Sequence, residues 1–323
     1  MGDLQGKHVL ITGANGGLGL ATSIQALQRG AELVLACRTS DKAARAAATA
    51  VAAAGVPDTR ALAAGGFDML DPLAIAEAVD ALPARPVDVV FLQAGGWVWA
   101  DGFQTVRRGD VAIERTVFQN VVGAHATLAA LGRSGRLARG CRVVIIGGEG
   151  ARGLPGAIDK PSFPDLASFE TYLSGASPTP YVPIDALGVA KLCAGLWTRA
   201  MARRTDAIEV VWFTPGLIAG TGGTAGMAAA KEWLLQHVAF PVMVWLGRAQ
   251  WPAQAAAKCV DCLAGRVGAH GDLLGAPEGQ AIGALTDQGP MQPLFDDLAL
   301  QDALWRTCEA AAGPLELPVR AAS

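Results

Sequence analysis

The stretch Thr12-Gly13-Ala14-Asn15-Gly16-Gly17-Leu18-Gly19 decides the fold of this chain. It follows the short apolar run Lys7–Ile11 and leads into the amphipathic segment Leu18–Arg29. Glycines at such a junction permit a tight turn, a close approach of backbone to pyrophosphate and close packing of helix on strand. The first N–H groups of the helix also carry partial positive charge toward the phosphates. The stretch therefore predicts a strand–turn–helix unit that binds a dinucleotide.

Beyond this unit, apolar runs rich in Val, Ile and Leu alternate with longer Ala-rich stretches. The predicted strands are Lys7–Ile11, Glu32–Ala36, Ala61–Phe67, Val87–Leu92, Arg142–Ile146 and Ile208–Phe213. The predicted helices are Leu18–Arg29, Asp41–Ala54, Pro72–Ala81, Asp110–Leu131 and Asp185–Arg204. Strands that are apolar on both faces and separated by helices indicate a parallel sheet covered on both sides. We predict one α/β domain over residues 1–323, a Rossmann-type doubly wound parallel sheet.

Two segments depart from this alternation. The Pro- and Gly-rich segment Gly150–Pro183 is predicted to be a long insertion before the helix Asp185–Arg204. Within 220–250, the apolar run Trp233–Gly247 has only about 15 residues, too few to span a bilayer. We interpret 220–250 as a lid over a hydrophobic pocket. Core packing and a helix lying on a membrane surface are the alternatives.

Composition narrows the function further. The net charge is −3 and no run of Lys or Arg forms a basic stripe, so a nucleic-acid partner is not expected. No uninterrupted apolar stretch reaches 18 residues, and the first predicted strand leaves no room for a signal peptide. Six scattered cysteines suit a reduced, cytoplasmic protein. We expect Cys259 and Cys262 to be buried apolar side chains rather than metal or redox groups, and we expect no metal site.

The end of the second predicted strand indicates which dinucleotide is bound. Arg38 stands at the position where an acidic residue would accept hydrogen bonds from the adenosine ribose, and Lys42 follows four residues later. A guanidinium there suits a 2′-phosphate, so Arg38, Lys42 and Asn15 favour NADP(H) over NAD(H). Asp68, after the third predicted strand, is placed either to meet the adenine edge or to cap the helix that begins near Pro72.

Together these features resemble the short-chain dehydrogenase/reductase family. The resemblance rests on Gly13–Thr22 (GANGGLGLAT), Ala36-Cys37-Arg38 with Lys42, Gln93-Ala94-Gly95, Asn120, Lys191-Leu192-Cys193 and Pro215–Ala219. Within the family, the similarity is greatest to the light-dependent protochlorophyllide reductase and retinol dehydrogenase branch. It implies a parallel sheet of about seven strands, hydride transfer from the nicotinamide to a carbonyl or activated double bond, and a homo-oligomer.

The resemblance also assigns residues to the cofactor. It implies that Asn120 holds a proton-relay water, that Lys191 binds the nicotinamide ribose, and that Pro215-Gly216 meets the carboxamide. Gln93 stands where the family usually has Asn, at a structural position. The full expected set of cofactor contacts is Thr12, Gly13, Asn15, Gly17, Leu18, Gly19, Arg38, Lys42, Asp68, Gln93, Ala94, Gly95, Lys191, Pro215 and Gly216.

The proton donor that the resemblance implies is missing. The family has a tyrosine four residues before the lysine, where the two side chains share one helix face; here the residue is Leu187. Gly148 occupies the place of the substrate-binding serine, and Leu217 that of the branch's pocket cysteine. Three chemically active side chains are thus absent from the expected reaction site.

Three other residues are candidates for the missing acid. Tyr181 lies six residues before Leu187 and could fold back toward the nicotinamide. Glu149 follows the missing serine and could act as an acid if burial raised its pKa. His125 lies five residues after Asn120, and we interpret it as a structural histidine.

An apolar pocket is expected beside the nicotinamide. Trp97 and Trp99 follow the fourth predicted strand at its carboxyl end, where such folds bind ligands. Leu187, Leu217, Met227 and Trp233 are expected to add to this pocket, although any one of them could be ordinary core. As a group they favour a bulky hydrophobic or aromatic substrate.

Two functional hypotheses remain, with a third weakened. The first is an NADP(H)-dependent oxidoreductase that takes its proton from water or a substitute residue, so that an iminium or quinone-like acceptor would fit best. The second is a catalytically inactive NADP(H)-binding regulatory or interaction module. Light-driven porphyrin reduction is disfavoured, because Leu187 and Leu217 replace the residues associated with protonation there. Beyond small molecules, only weak association with a membrane surface is expected.

Overall fold

The computed structural model describes residues 3–220 and 229–317. The strands are β1 (His8–Thr12), β2 (Glu32–Ala36), β3 (Ala61–Ala64), β4 (Val87–Leu92), β5 (Thr105–Arg108), β6 (Val111–Glu114), β7 (Leu137–Ile146), β8 (Glu209–Phe213), β9 (Leu273–Gly275) and β10 (Thr286–Asp287). The α-helices are α1 (Gly17–Gln28), α2 (Ser40–Ala54), α3 (Pro72–Asp80), α4 (Arg115–Val117), α5 (Gly123–Arg133), α6 (Leu166–Leu173), α7 (Pro183–Arg204), α8 (Ala229–Leu234), α9 (Phe240–Trp245), α10 (Pro252–Leu263) and α11 (Leu298–Ala312). Two π-helical segments, Phe118–Val122 and Leu235–Ala239, join α4 to α5 and α8 to α9.

Eight strands form the central sheet in the order β10-β9-β8-β7-β4-β1-β2-β3. Neighbours pair in parallel from β3 to β9, and only β10 is antiparallel. Alternate residues of each strand enter different cores: in β1, Leu10 packs with the helices of one face, whereas Val9 and Ile11 pack with those of the other. The doubly wound α/β prediction is confirmed, with one strand more than the expected seven.

Several strand ends differ from the sequence-based prediction. The prediction Ala61–Phe67 is too long, because β3 stops at Ala64 before Gly65 and Gly66, and Gly66 has a φ of +86°. The prediction Arg142–Ile146 is too short, because β7 begins at Leu137, which pairs with Val87. Both differences arise from backbone conformation and strand pairing, which hydrophobic pattern alone does not reveal.

The predicted helix Asp110–Leu131 is wrong at its start. Residues 105–114 form an antiparallel hairpin in which Arg108 faces Val111 across the two-residue loop Gly109–Asp110. Gly109 has a φ of +54°, which suits the first position of a type II′ hairpin turn. The helical stretch begins only at Arg115, so residues 111–114 are a strand that ends at Glu114.

The two unusual segments take different forms. The Gly150–Pro183 segment contains part of a 3₁₀ turn (Glu149–Arg152) and the short helix α6, and contributes no strand to the central sheet. Helices α8 and α9 display a row of exposed apolar side chains, namely Trp233, Leu234, Val238, Val242, Trp245 and Leu246. Met227 lies outside the described residues, and the lid remains a prediction. No helix within 3–220 and 229–317 is long and apolar enough to cross a membrane.

Candidate functional site

The glycine turn joins β1 to an α1 helix whose amino end is open. Gly13 has a φ of +65°, and its carbonyl accepts the N–H of Gly16 at 3.0 Å. Gly16 is the N-cap, so no side chain caps α1, and no acidic residue lies in its first turn. The helix therefore keeps N–H donors and a positive end that suit phosphate oxygens, and nothing in its first turn repels an anion.

Gln93 and Thr12 connect this turn to the end of β4. The Gln93 side-chain amide donates to the Thr12 carbonyl at 2.8 Å and to the Gly13 carbonyl at 2.6 Å. The Thr12 hydroxyl accepts the backbone N–H groups of Gln93 and Ala94, each at 3.1 Å, and donates to Phe91 O. Gln93 therefore holds the turn against the end of β4, at the position where the resemblance implies a structural Asn.

Two glycines of the turn, Gly13 and Gly19, have no room for a side chain. A Cβ at Gly19 would lie 2.5 Å from the Gly13 carbonyl oxygen and 3.0 Å from Ala14 Cα. A Cβ at Gly13 would lie 2.9 Å from Gln93 Nε2. Gly95, after β4, would collide with the Asn120 side chain if it carried a Cβ. The glycines thus keep the backbone surface close enough for a bound group to contact it.

Arg38 and Lys42 follow β2 at the same edge of the sheet. Arg38 is exposed, Lys42 is half-buried, and neither forms an ion pair within the described part of the chain. Asn15 is also exposed. Asp68 accepts the N–H of Leu70 at 3.1 Å, whereas Asp71 is the N-cap of α3. Asp68 is therefore not the α3 cap, and its role toward an adenine stays a prediction.

A hydrogen-bonded pair, the half-buried Lys191 and the buried Asn120, lies at the carboxyl end of β7. The Lys191 ammonium donates to Asn120 Oδ1 at 3.1 Å and to the Ile146 carbonyl at 3.2 Å. Asn120 is held by its Nδ2, which donates to Gly96 O and Thr116 O, each at 2.8 Å. It lies in the π-helical segment, a distortion often found at functional sites. Burial lowers the pKa of Lys191 to about 8.

Leu187 and Gly148, which the resemblance places where the family has its tyrosine and serine, lie beside this pair. A Cβ at Gly148 would lie 3.1 Å from Lys191 Cγ, so Gly148 faces the lysine stem. Leu187 is half-buried and precedes Lys191 by four residues in α7, on the same helix face. A Cβ at Gly147 would collide with the Trp212 indole, which explains that glycine. The structure thus brings Gly148, Leu187 and Lys191 together without a hydroxyl.

Tyr181 is bonded to the loop after β4 rather than to Lys191. Its hydroxyl donates to Val98 O at 2.8 Å and lies 3.2 Å from the Thr116 hydroxyl. Thr116 in turn lies 2.9 Å from Glu114 Oε1. Sequence reasoning missed Glu114 because it lies in the hairpin that was predicted to be helix. It missed Thr116, which does lie in a helix, because only the fold brings that residue to Tyr181. The signal available was the Gly109-Asp110 pair, a hairpin-turn dipeptide followed by a short strand.

Glu149 is enclosed in a separate polar cluster. Its carboxylate accepts the Thr214 hydroxyl at 3.0 Å and the N–H of Ala276 at 3.4 Å. Burial raises the pKa of Glu149, and the nearby Arg152 opposes this shift. Arg152 donates to Gln288 and to three carbonyls of the loop after β9. The described bonds of Glu149 therefore fasten this loop to the turn that follows β8.

That turn carries Pro215 and Gly216. Gly216 has a φ of +101°, and a Cβ there would lie 2.6 Å from the Ala281 carbonyl oxygen. The Gln250 side chain donates to the Pro215 carbonyl, and Leu217 N–H donates to Ala281 O at 2.8 Å. Leu217 is half-buried. The turn is therefore held from two sides by later parts of the chain.

The predicted pocket aromatics divide into two groups. Trp97 and Trp99 stack on each other with ring centroids 5.1 Å apart, on a loop that Asn120 and Tyr181 hold at Gly96 and Val98. Trp233, by contrast, is 59% exposed and stacks on His237. Only the first group lies next to the Lys191–Asn120 pair in the described structure.

The remaining candidates have structural surroundings. His125 is fully buried; its Nδ1 accepts the Trp197 indole N–H at 3.2 Å, so its Nε2 donates to Gly313 O at 2.9 Å. This supports the structural interpretation. Cys259 and Cys262 are buried free thiols whose pKa burial raises. Among the described residues, no group of three or more His, Cys, Asp or Glu could hold a metal ion.

Solved structures share this fold over most of the chain. An uncharacterized protein from Mycobacterium paratuberculosis aligns over 99% of this chain and 97% of its own, with a TM-score of 0.65 at 22% identity. A short chain dehydrogenase from Burkholderia cenocepacia, solved with NADP, aligns over 87% of this chain and 95% of its own, with a TM-score of 0.53 at 22% identity. A 3-ketoacyl-(acyl-carrier-protein) reductase from Brucella melitensis, solved with NADH, aligns over 80% of this chain and 91% of its own, with a TM-score of 0.51 at 21% identity.

Sequence comparison identifies the amino-terminal part. The human protein dehydrogenase/reductase SDR family member 13 is 45% identical over 47 residues, which are 15% of this chain and only 12% of the human protein. Residues 7–155 match the family model described as short chain dehydrogenase. Residues 7–155, which carry the glycine turn, Arg38 and Asn120, are therefore similar to short chain dehydrogenases, and this similarity covers less than half of the chain.

Proposed function

We propose that this protein is an NADP(H)-dependent oxidoreductase that reduces a bulky hydrophobic or aromatic acceptor without the family's usual tyrosine donor. One observation carries the proposal: the Lys191–Asn120 pair is intact, with the Lys191 ammonium 3.1 Å from Asn120 Oδ1, beside the apolar Leu187. This pair keeps the lysine that would orient the nicotinamide ribose, next to an apolar wall suited to a hydrophobic acceptor.

The residues present fit a nicotinamide dinucleotide. The open amino end of α1 and the close-packed Gly13 and Gly19 provide the cradle that a pyrophosphate needs. Arg38 and Lys42 form no ion pair in the described chain and would bind a 2′-phosphate. When bound, the reduced cofactor supplies a hydride. These features favour NADP(H) over NAD(H).

Lys191 would orient the ribose on the nicotinamide side. An ammonium group has three N–H donors, and the Asn120 and Ile146 oxygens receive two of them. The third is available for a ribose hydroxyl. This role requires no tyrosine, so it survives the replacement at Leu187.

The chemical class of the acceptor is inferred from the side chains that line the site. The stacked Trp97 and Trp99 rings offer an aromatic face, and Leu187 and Leu217 are apolar. A planar, conjugated acceptor would pack well on such a surface. An iminium would need no proton from the protein, and a quinone-like acceptor would need little help, because hydride addition to them is intrinsically easier than to a ketone.

Binding and turnover measured together test the proposal. We expect the purified protein to bind NADPH more tightly than NADH and to oxidise it with at least one acceptor from a panel of iminium ions, quinones, enones and ketones. Lys191→Met should lower this activity. Lys258→Met is the matched control, because that lysine lies on α10 and donates to Gly283 O. Tight NADPH binding without oxidation across the panel would instead identify an inactive binding module.

A further inference from the structure

Glu114 is a fully buried carboxyl group that the proposed reaction does not yet use. It ends β6, has no exposed surface, and accepts the N–H of Val117 at 2.8 Å. Its other oxygen lies 2.9 Å from the Thr116 hydroxyl. Within the described residues it forms no ion pair with a lysine or arginine. A buried carboxylate without a cation is costly, so its surroundings favour the neutral acid.

The number of hydrogens available to the hydrogen-bonded series Glu114–Thr116–Tyr181–Val98 also indicates that Glu114 is protonated. Three oxygen–oxygen contacts of 2.9, 3.2 and 2.8 Å link the four residues. Tyr181 uses its one hydrogen on the Val98 carbonyl, and Thr116 has one hydrogen for two neighbours. With an ionised Glu114, Thr116 would donate to that carboxylate and the Thr116–Tyr181 contact would lack a hydrogen. A proton on Glu114 supplies the third and completes all three bonds.

This hydrogen-bonded series ends at Val98, next to the proposed reduction site. Val98 lies between Trp97 and Trp99, so Tyr181 contacts the loop that carries the aromatic face. The backbone carbonyl of Thr116 accepts from Asn120 at 2.8 Å, and Asn120 accepts from Lys191. Tyr181 is itself half-buried. Asn120 therefore connects Thr116 of this series to Lys191, the lysine that would hold the ribose.

We propose that Tyr181, supplied by Glu114 through Thr116, is the proton source that replaces the tyrosine missing at Leu187. This inference rests on the proposed reductase function. The acceptor carbon gains the hydride, and the acceptor heteroatom takes the Tyr181 proton, displacing Val98 O as hydrogen-bond partner. Thr116 returns a proton to Tyr181, and Glu114 returns one to Thr116. Glu114 is left as a carboxylate, which regains a proton from water before the next turnover.

The roles of the three residues differ. Tyr181 would be the donor that touches the acceptor, whereas Glu114 and Thr116 would act through it. Burial raises the pKa of both Glu114 and Tyr181, which favours the protonated form of each. The relay matters because a phenol of raised pKa gives up its proton poorly by itself, whereas the chain makes a carboxylic acid the final source.

Infrared spectroscopy tests the stored proton without any activity. The wild-type spectrum minus that of Glu114→Gln at neutral pH should contain the C=O band of a protonated carboxylic acid. Gln keeps the size of the side chain and its bonds to Val117 and Thr116, so the variant should fold. Glu77→Gln is the control, because Glu77 is exposed on α3 and takes no part in the Glu114 hydrogen bonds. A carboxylate band in place of the acid band for Glu114 would overturn the proposal.

Kinetics test the transfer. With an acceptor that needs a proton, Tyr181→Phe and Glu114→Gln should each lower the rate by ~10²-fold or more and remove the solvent isotope effect. With an iminium acceptor both should keep the wild-type rate. The control is Tyr172→Phe, which alters the one other tyrosine in the chain, a buried residue whose hydroxyl has no partner in the described structure.

The outcomes separate the two proposals. If the wild type reduces acceptors but Tyr181→Phe and Glu114→Gln leave the rates and pH profile unchanged, this relay is overturned and the reductase function stands. If the wild type reduces no acceptor, both are overturned. A loss of rate with iminium and carbonyl acceptors alike would assign these residues to loop packing instead, and would also overturn the relay.

Discussion

The two ends of the proposed cofactor site differ in what they are made of. At the adenosine end, the glycine turn between β1 and α1 depends on backbone: a φ of +65° at Gly13, an uncapped helix start, and no room for a Cβ at Gly19. At the nicotinamide end, function depends on side chains. There Lys191 and Asn120 are paired, but Leu187 and Gly148 carry no group that could act on a substrate.

On the proposed function, holding a cofactor and performing the family's chemistry are separable properties. Gly13 and Gly19 cannot take a Cβ without a collision, because packing of α1 on β1 and β4 requires the same residues as phosphate binding. A hydroxyl at position 187 or 148 would serve only the reaction, so the fold does not depend on it. Substitutions at each end therefore test the difference independently.

The largest effect is expected at the nicotinamide end, from Leu187→Tyr. The new phenol would lie one helical turn before Lys191 on the same face, where it could donate a proton. In a Tyr181→Phe background, where that phenol supplies no proton, we expect reduction of a simple ketone to rise by ~10²–10⁴-fold, measured as NADPH oxidation. Leu187→Phe is the control of equal shape without the hydroxyl. Equal activity in the two variants would show that more than one acid is missing from this end.

A change at the adenosine end should have the next largest effect. In Gly19→Ala, the new Cβ would lie 2.5 Å from Gly13 O and would force the turn open. We expect NADPH binding, followed by fluorescence titration, to weaken by ~100-fold, equivalent to about 3 kcal/mol. In the control Gly16→Ala the nearest atom is Gly13 O at 3.3 Å, and Gly16 has a φ of −75°. Similar affinities in the two variants would contradict a tight backbone cradle.

Cofactor choice should respond more moderately to Arg38→Glu. The carboxylate would repel a 2′-phosphate and accept hydrogen bonds from a ribose hydroxyl. We expect the ratio of NADPH to NADH affinity to fall by about tenfold or more, as loss of one charge-assisted bond implies. Arg107→Glu changes an exposed arginine of the β5–β6 hairpin and should leave the ratio unchanged. An unchanged ratio in Arg38→Glu would remove the argument for NADP(H).

The smallest effect concerns stability and comes from Lys191. Because burial lowers its folded pKa to about 8, below the unfolded value, the unfolded chain binds more protons above that pH. The free energy of unfolding of the wild type should therefore rise relative to Lys191→Met as pH increases from 8 toward 10. Urea denaturation of both proteins across this range measures the difference. Lys258→Met, compared with the wild type in the same way, is the control. A free-energy difference between the wild type and Lys191→Met that stays constant over this range would contradict the lowered pKa of Lys191.

The sequence was most informative where a local rule governs the structure. A glycine turn between an apolar run and an amphipathic segment predicts the β1–α1 unit, because backbone conformation and close packing are both properties of glycine itself. The alternation of strands and helices predicted the doubly wound sheet for the same reason, since each element must bury its own apolar face. Asn120 and Lys191 were found from residue types at family spacing, and the structure brings them together.

The sequence was less informative where partners distant along the chain decide. Residues 111–114 (VAIE) suit a short strand or a helix, and only pairing with 105–108 makes them β6. That pairing places Glu114 at a strand end and buries it against Thr116 and Tyr181, which is 65 residues from Thr116. The surroundings of Glu149, one of the candidate acids, are likewise set by distant residues, because its carboxylate accepts the Thr214 hydroxyl and the Ala276 N–H.

The parallel sheet, the glycine turn and the apolar residue at Leu187 could all be recognised in the sequence. Each of these depends on the identity of a residue or on a spacing along one segment. The hydrogen bonds that link Glu114, Thr116, Tyr181 and Val98 could be recognised only in the folded protein. The physical reason is that burial and hydrogen bonding are set by residues from separate segments, which only the folded chain brings within reach of one another.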